Sequence, residues 1–232
     1  MDAGPETFAL GTLALGFVFG LQHATDADHV VAVASIVSRT GRFSSGALVG
    51  AFWGIGHTLT IAAAGAAIIV WNVTVTPRAG LAMELCVAFM LMALGATRIA
   101  KLVRYREEAE ARPRDGAGFR QVLRTLGPAQ AARSMLTGLV HGLAGSAAVA
   151  LLVLSTVRGP FAGVIYLLVF GLGTIAGMIA ITALLSVPFA APLPALHRVR
   201  RMLALGTGLL SLGFGLYLAM HIGFVDGLLL GR

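Results

Sequence analysis

Apolar residues fill this chain in six long stretches, roughly 7–37, 45–71, 80–103, 134–157, 160–187 and 202–225, divided by short polar segments. A helix needs about 20 mostly apolar residues to cross the hydrocarbon core of a bilayer, and each stretch is long enough. The pattern predicts an all-α integral membrane protein with six transmembrane helices. SRTGRFSS, WNVTVTPRAG and HRVRR mark turns between them. The one long polar segment, 104–133, contains EEAEARPRDGAG and reads as a solvated linker. It separates a first three-helix unit, 1–103, from a second, 134–232.

The two units resemble each other. GFVFGL at 16–21 matches GLVHGL at 138–143, WGIGHTLTI at 53–61 matches FGLGTIAGM at 170–178, and ALG at 93–95 matches SLG at 211–213. The matches keep their order and a nearly constant offset. Three helices per copy force the second copy to enter from the opposite face, so the expected architecture is a 3+3 inverted repeat. In transporters built this way the site lies near the midplane, where the repeats meet. Glycines four residues apart, such as Gly16 and Gly20 or Gly138 and Gly142, read as close helix packing in lipid.

Charge sets the orientation. Arg39 and Arg42, the basic residues from Arg98 to Arg133, and Arg198, Arg200 and Arg201 fall on one side, together 14 of the 17 basic residues. Arg78, Arg158 and Arg232 fall on the other. By the positive-inside rule the rich side is cytoplasmic, which puts both termini outside and the 104–133 segment in the cytoplasm. The expected location is the cytoplasmic (inner) membrane. The acidic start MDAGPETF lacks the positive region of a cleaved signal peptide, so the first apolar block reads as mature protein.

Composition agrees with a bilayer environment. Residues are 57% hydrophobic and only 12% charged, against about a quarter charged in soluble domains. The net charge of +7 sits in the inter-helix segments with no aromatic-lined basic groove, which excludes a nucleic-acid partner. The single cysteine, Cys86, excludes a disulfide framework and a paired-thiol electron carrier. The only lysine, Lys101, lies at a helix end, unlike the intramembrane lysine of a retinal pump. No His-Glu-x-x-His occurs, so an intramembrane metalloprotease is not indicated, and no resident cofactor is.

Against this background LQHATDADHVVAV, residues 21–33, stands out. His23, Asp26, Asp28 and His29 crowd four titratable groups into a membrane segment, where one ionised side chain costs about 2.5–3.5 kcal/mol. Imidazole with carboxylate suits a divalent transition metal such as nickel, copper or zinc, and the lack of a nearby thiolate argues against copper(I). The alternative is an internal His–Asp ion pair. On an ideal helix His23, Asp26 and His29 form one slanting row, whereas Asp28 lies about 140° from His23. As one straight helix the 7–37 block would also be about 46 Å long, against a core of about 30 Å. A break near Ala24–Ala27 resolves both problems, so the first helix is expected to be discontinuous at the motif.

Other polar groups follow by position. His57, in FWGIGHTLTI at matching depth, reads as a metal ligand or as the partner of one, with Thr58 beside it. His141, in GLVHGLAGSAA, reads equally as an exit-path group or a structural one. Glu84 and His221 lie near the outer ends of their helices, at an entrance or facing headgroups. The candidate metal set is therefore His23, Asp26, Asp28, His29 and His57, and the candidate pathway Thr58, Glu84, His141, Thr174 and His221.

HATDADHVVAV resembles the signature of the nickel/cobalt transporter family, a histidine, four residues, then Asp-His. His23, Asp28 and His29 occupy those positions, and Asp26 matches the additional aspartate. WGIGHT at 53–58 is similar to the second family signature and carries over His57. HGLAGSAA at 141–148 is similar to the short six-helix branch often called urease accessory protein H. Gln22 departs from the arginine that usually precedes the first histidine. Of the later signatures the matching region offers only Gly173, Thr174 and Thr182. The resemblance implies uptake of Ni²⁺ or Co²⁺, bound transiently as cargo, for enzymes such as urease or hydrogenase. Efflux of the same metals and a non-transporting metal-binding accessory protein are the alternatives.

Overall fold

The computed structural model describes residues 5–38, 43–71, 76–104, 127–142, 159–190 and 197–229. These residues form seven α-helices. They are α1 (Pro5–His23), α2 (Ala27–Val37), α3 (Phe43–Trp71), α4 (Pro77–Arg104), α5 (Pro128–His141), α6 (Pro160–Ala190) and α7 (His197–Met220), and a π-helical turn at His221–Val225 follows α7. Four stretches, Phe43–Ile68, Pro77–Arg104, Phe161–Phe189 and Arg198–Val225, have the length and apolar composition to cross a membrane. They make this a multi-pass membrane protein. Leu172, Leu184 and Val187 point outward from α6, an apolar surface suited to lipid tails rather than water.

The first apolar block is two helices, broken where helix geometry demanded it. α1 closes with tight turns, Thr25 N–H donating to the Gln22 carbonyl at 2.8 Å and Asp26 N–H to that of His23 at 3.1 Å. The Thr25 hydroxyl also donates to the Gln22 carbonyl at 2.6 Å, a local bond that competes with helix continuation. Asp26 is extended, with φ −57° and ψ 145°, and α2 starts directly after it. Every residue of α2 from Val31 to Val37 is buried, so beyond its first turn this short helix runs through the core. Its end is tied to α4 by Arg98, whose guanidinium donates to the Ser38 carbonyl at 2.8 Å.

Glycines set the packing. Gly16 lies on the Tyr166 ring, Gly20 on the Phe170 carbonyl and Gly173 on the Phe17 carbonyl, so α1 and α6 run parallel in near backbone contact. Likewise Gly138 lies on Trp53, Gly56 on Met135 and Leu139, and Gly142 on His57, so α3 and α5 run parallel. Between α3 and α6, Gly46 meets Ser186 and Gly54 meets Ile175, an antiparallel pair. Since α3 and α6 are antiparallel, α1 and α5 point in opposite directions. α4 and α7 form the remaining large contact, also antiparallel, with Gly95 on Leu212, Gly215 on Met92 and the Ser211 hydroxyl donating to the Leu91 carbonyl at 2.8 Å. A methyl at most of these glycines would strike backbone, which is why small residues line the seams.

Two expected boundaries are corrected. α5 starts at Pro128, so the last residues of the segment read as a 104–133 linker are helical. Gly127 at φ 72° makes the turn, and proline at the first helical position gives up only an amide that has no helical partner. HRVRR, read as a turn, opens α7. Arginine is a good helix former, and its long stem lets a charge on the first turn reach the membrane surface. Residues 105–126 of the linker and 143–158 of the fourth apolar stretch lie outside the described residues.

Candidate metal centre

Four of the chain's six histidines meet around the break between α1 and α2. His23 ends α1, His29 lies in the first turn of α2, His57 lies midway along α3, and His141 ends α5. All four are buried. Ring centroids lie 4.7 Å apart for His23 and His29, 5.0 Å for His23 and His57, 5.0 Å for His29 and His57, and 4.2 Å for His29 and His141.

Hydrogen bonds join the rings to the carboxylates and to each other. A carboxylate only accepts, so His23 Nδ1 donates to Asp26 Oδ2 at 2.9 Å. With Nδ1 used in this way, Nε2 of a neutral His23 ring accepts from His57 Nε2–H, the two nitrogens lying 2.9 Å apart. Two nitrogens at right angles on a first-row ion, each about 2.1 Å from it, would be roughly 3.0 Å apart. Asp26 does not cap α2 with its side chain, although it stands at the N-cap position. Its carboxylate orients His23 instead, as an outer carboxylate orients a metal-binding imidazole.

Asp28 sits between two imidazoles. His29 Nδ1 is 3.2 Å from its Oδ1 and His141 Nε2 is 2.8 Å from its Oδ2. Oδ1 also accepts the His29 backbone N–H at 3.0 Å. The opposite nitrogens, His29 Nε2 and His141 Nδ1, are buried without a partner, and so is His57 Nδ1. Buried polar atoms are rarely left unpaired, so the bare Nε2 of His29, beside the His23 and His57 rings, points to a ligand. Two overlapping groups of side chains each bring one ligand atom apiece to within 4.8 Å of one another. These are His23, His29 and His57, and Asp28, His29 and His141. When ionised, Asp26 and Asp28 carry two negative charges, which a divalent cation would cancel.

Aromatic walls close the cluster. Phe170 lies 5.6 Å from the His23 ring, and the fully buried Trp53 lies 6.2 Å from His29 and 5.6 Å from His141. Sequence reasoning missed this pair, although the match of WGIGHTLTI to FGLGTIAGM sets Trp53 opposite Phe170 in the repeat. It also missed His141 as the partner of Asp28, since nothing in a linear pattern joins positions so far apart.

The other pathway candidates stay outside the cluster. Thr58 Oγ1 donates to the Gly171 carbonyl at 3.3 Å, joining α3 to α6, and Thr174 Oγ1 to that of Phe170 at 3.1 Å within its own helix, so neither hydroxyl is turned to the cluster. Glu84 is half-buried on α4, within electrostatic reach of Asp226 and Asp28. His221 pairs with Asp226, Nδ1 to Oδ2 at 3.1 Å, at the exposed end of the π-helical turn.

No family model and no solved structure matches the chain. The urease accessory protein UreH of Bacillus sp. (strain TB-90) is similar to it, with 34% identity over 219 residues, covering 94% of this chain and 95% of that protein.

Proposed function

Because the chain belongs to the nickel/cobalt transporter family, in its urease accessory protein H branch, we propose that it is a permease, not an enzyme, that carries Ni²⁺ inward across the cytoplasmic membrane. His23, His29 and His57 hold the ion, Asp26 orients His23, and Asp28 orients His29 and supplies charge. One observation carries this reading. Buried imidazoles from three helices converge, each with a ring nitrogen within 4.8 Å of the others, close enough for one ion to gather. Co²⁺, with the same charge and ligand preference, is the second cargo.

The helix directions support a 3+3 inverted repeat. α1 lies on α6 as α5 lies on α3, with Gly20 and Gly142 at matching places, and the two helices are opposed. Rocking of the two units against each other would expose the site alternately. With the basic side in the cytoplasm, both termini lie outside. A divalent ion moving inward gains about 4.6 kcal/mol per 100 mV of inside-negative potential, so the membrane potential drives uptake. Binding weakens as pH falls, because each ligand nitrogen must be free of its proton.

Uptake of radioactive Ni²⁺ by the purified protein in liposomes tests the reading. The wild type accumulates the ion under an inside-negative potential, and His23→Ala does not. A second reading, a metal-holding accessory protein that does not translocate, is favoured by the designation of the Bacillus relative. Ni²⁺ binding without accumulation in the vesicles would establish that reading and end the first.

A further inference from the structure

We propose that the chain holds a second station for the same cation, formed by Asp28, His29 and His141, and that His29 is the ligand shared by both stations. This rests on the permease reading and goes beyond it, because it assigns His141 a place on the ion's route.

Chemistry separates the stations. The two nitrogens of an imidazole have diverging lone pairs, so one ion cannot use both. His29 has Nδ1 at Asp28 and Nε2 without a partner, and its ring lies 4.2 Å from His141 on one hand and 4.7 Å and 5.0 Å from His23 and His57 on the other. His29 belongs to both converging sets, and with Nδ1 beside Asp28 its unpartnered Nε2 is the nitrogen left for an ion held with His23 and His57. Repulsion between two divalent charges this close keeps one station empty while the other is filled.

The second station is equipped for a cation. It supplies the carboxylate that the first lacks, with Asp28 Oδ2 2.8 Å from His141 Nε2. His141 is fully buried and turns Nε2 toward the Asp28 carboxylate, so an ion between them would replace the proton that Nε2 and Asp28 now share in a hydrogen bond. Trp53 lies against both His29 and His141 and covers the station.

Origin of the ligands gives the station its use. His23, His29 and His57 all lie on helices of the first unit, whereas His141 ends α5 in the second. The second station thus exists only while α5 stands against α2 and α3. An ion passing from one set to the other, turning on His29, moves from a site within one unit to a site between units.

The experiment compares His141→Gln with His57→Ala in the full-length protein, reading equilibrium Ni²⁺ binding in detergent and Ni²⁺ uptake in liposomes. Glutamine keeps an N–H donor for Asp28 but removes the imidazole. His141→Gln is expected to keep the Ni²⁺ binding of the first station, with a smaller loss than His57→Ala, while uptake falls at least about tenfold, and His57→Ala to lose binding at least about tenfold. Retained binding also shows that the variant is folded; if its melting point falls, His141→Asn replaces it. Normal uptake by His141→Gln would reduce His141 to a support for Asp28 and overturn the proposal. So would a loss of binding equal to that of His57→Ala, since one site would then hold all the ligands. Normal binding by His57→Ala would instead remove the permease site itself, whatever His141 does.

Discussion

α1 and α5 occupy equivalent positions, α1 along α6 and α5 along α3, each through glycines that bring backbones together. Yet α1 ends in His23 and turns through Asp26 into Asp28 and His29, whereas α5 ends in His141 and Gly142. The same asymmetry holds between α3 and α6. Where His57 stands in the first unit, the aligned position of the second holds Thr174, whose hydroxyl bonds within its own helix. Both units thus share glycine-lined contacts, while the buried imidazoles and carboxylates are concentrated in the first. The lesson is that close backbone approach and a buried polar cluster are separable demands, met by different residues on the same helices.

Substitutions at matched positions test that division. The largest contrast is expected between His57→Ala and Thr174→Ala. Loss of the imidazole should weaken Ni²⁺ binding by more than the roughly 10–100-fold that an outer partner costs, and loss of the threonine by less than about twofold. Titration calorimetry on the purified proteins reads both, and equal losses would break the comparison. Asp26→Asn comes next. It leaves His23 in place but removes the carboxylate that holds its ring, so affinity should fall roughly 10–100-fold with no change in melting temperature.

Scaffold changes should behave in the opposite way. Gly20→Ala and Gly138→Ala each push a methyl into backbone of the facing helix, at Phe170 and Trp53 respectively. Each should destabilise the fold by on the order of 1–3 kcal/mol, seen as a lower melting temperature in either unit alike. The smallest effect belongs to Gly213→Ala, where the added methyl meets nothing within 4 Å. Helix propensity alone should then stabilise α7 by up to about 1 kcal/mol. A melting temperature lowered as far as by Gly20→Ala would show that close approach does not explain the glycines.

The fold was legible where local geometry decides it. Helical periodicity could not place Asp28 beside His23, nor fit residues 7–37 across a bilayer in one rod, and the chain breaks at residues 24–26, within the expected stretch. The metal-ligating residue types were equally visible, because carboxylates and imidazoles are costly among apolar neighbours. What stayed hidden depends on tertiary contact. The bond from His141 to Asp28 spans 113 positions, and the aromatic walls of Trp53 and Phe170 look like any other apolar residues. The starts of α5 and α7 are hidden for a different reason: α5 opens on the polar PAQAAR at the end of the expected linker and α7 on the basic HRVRR, and neither is apolar although both fold as helix.

The corner at Ala24–Asp26 has a mechanical meaning. His23 travels with α1, which is seated on α6, and Asp28 and His29 travel with α2, which is packed among α4, α6 and α7. The spacing between these side chains is therefore a measure of the angle between two stiff rods joined by three residues. Under the proposed function, a cation drawing them inward would close that angle, so occupancy would be written into the posture of helices far longer than the ion is wide.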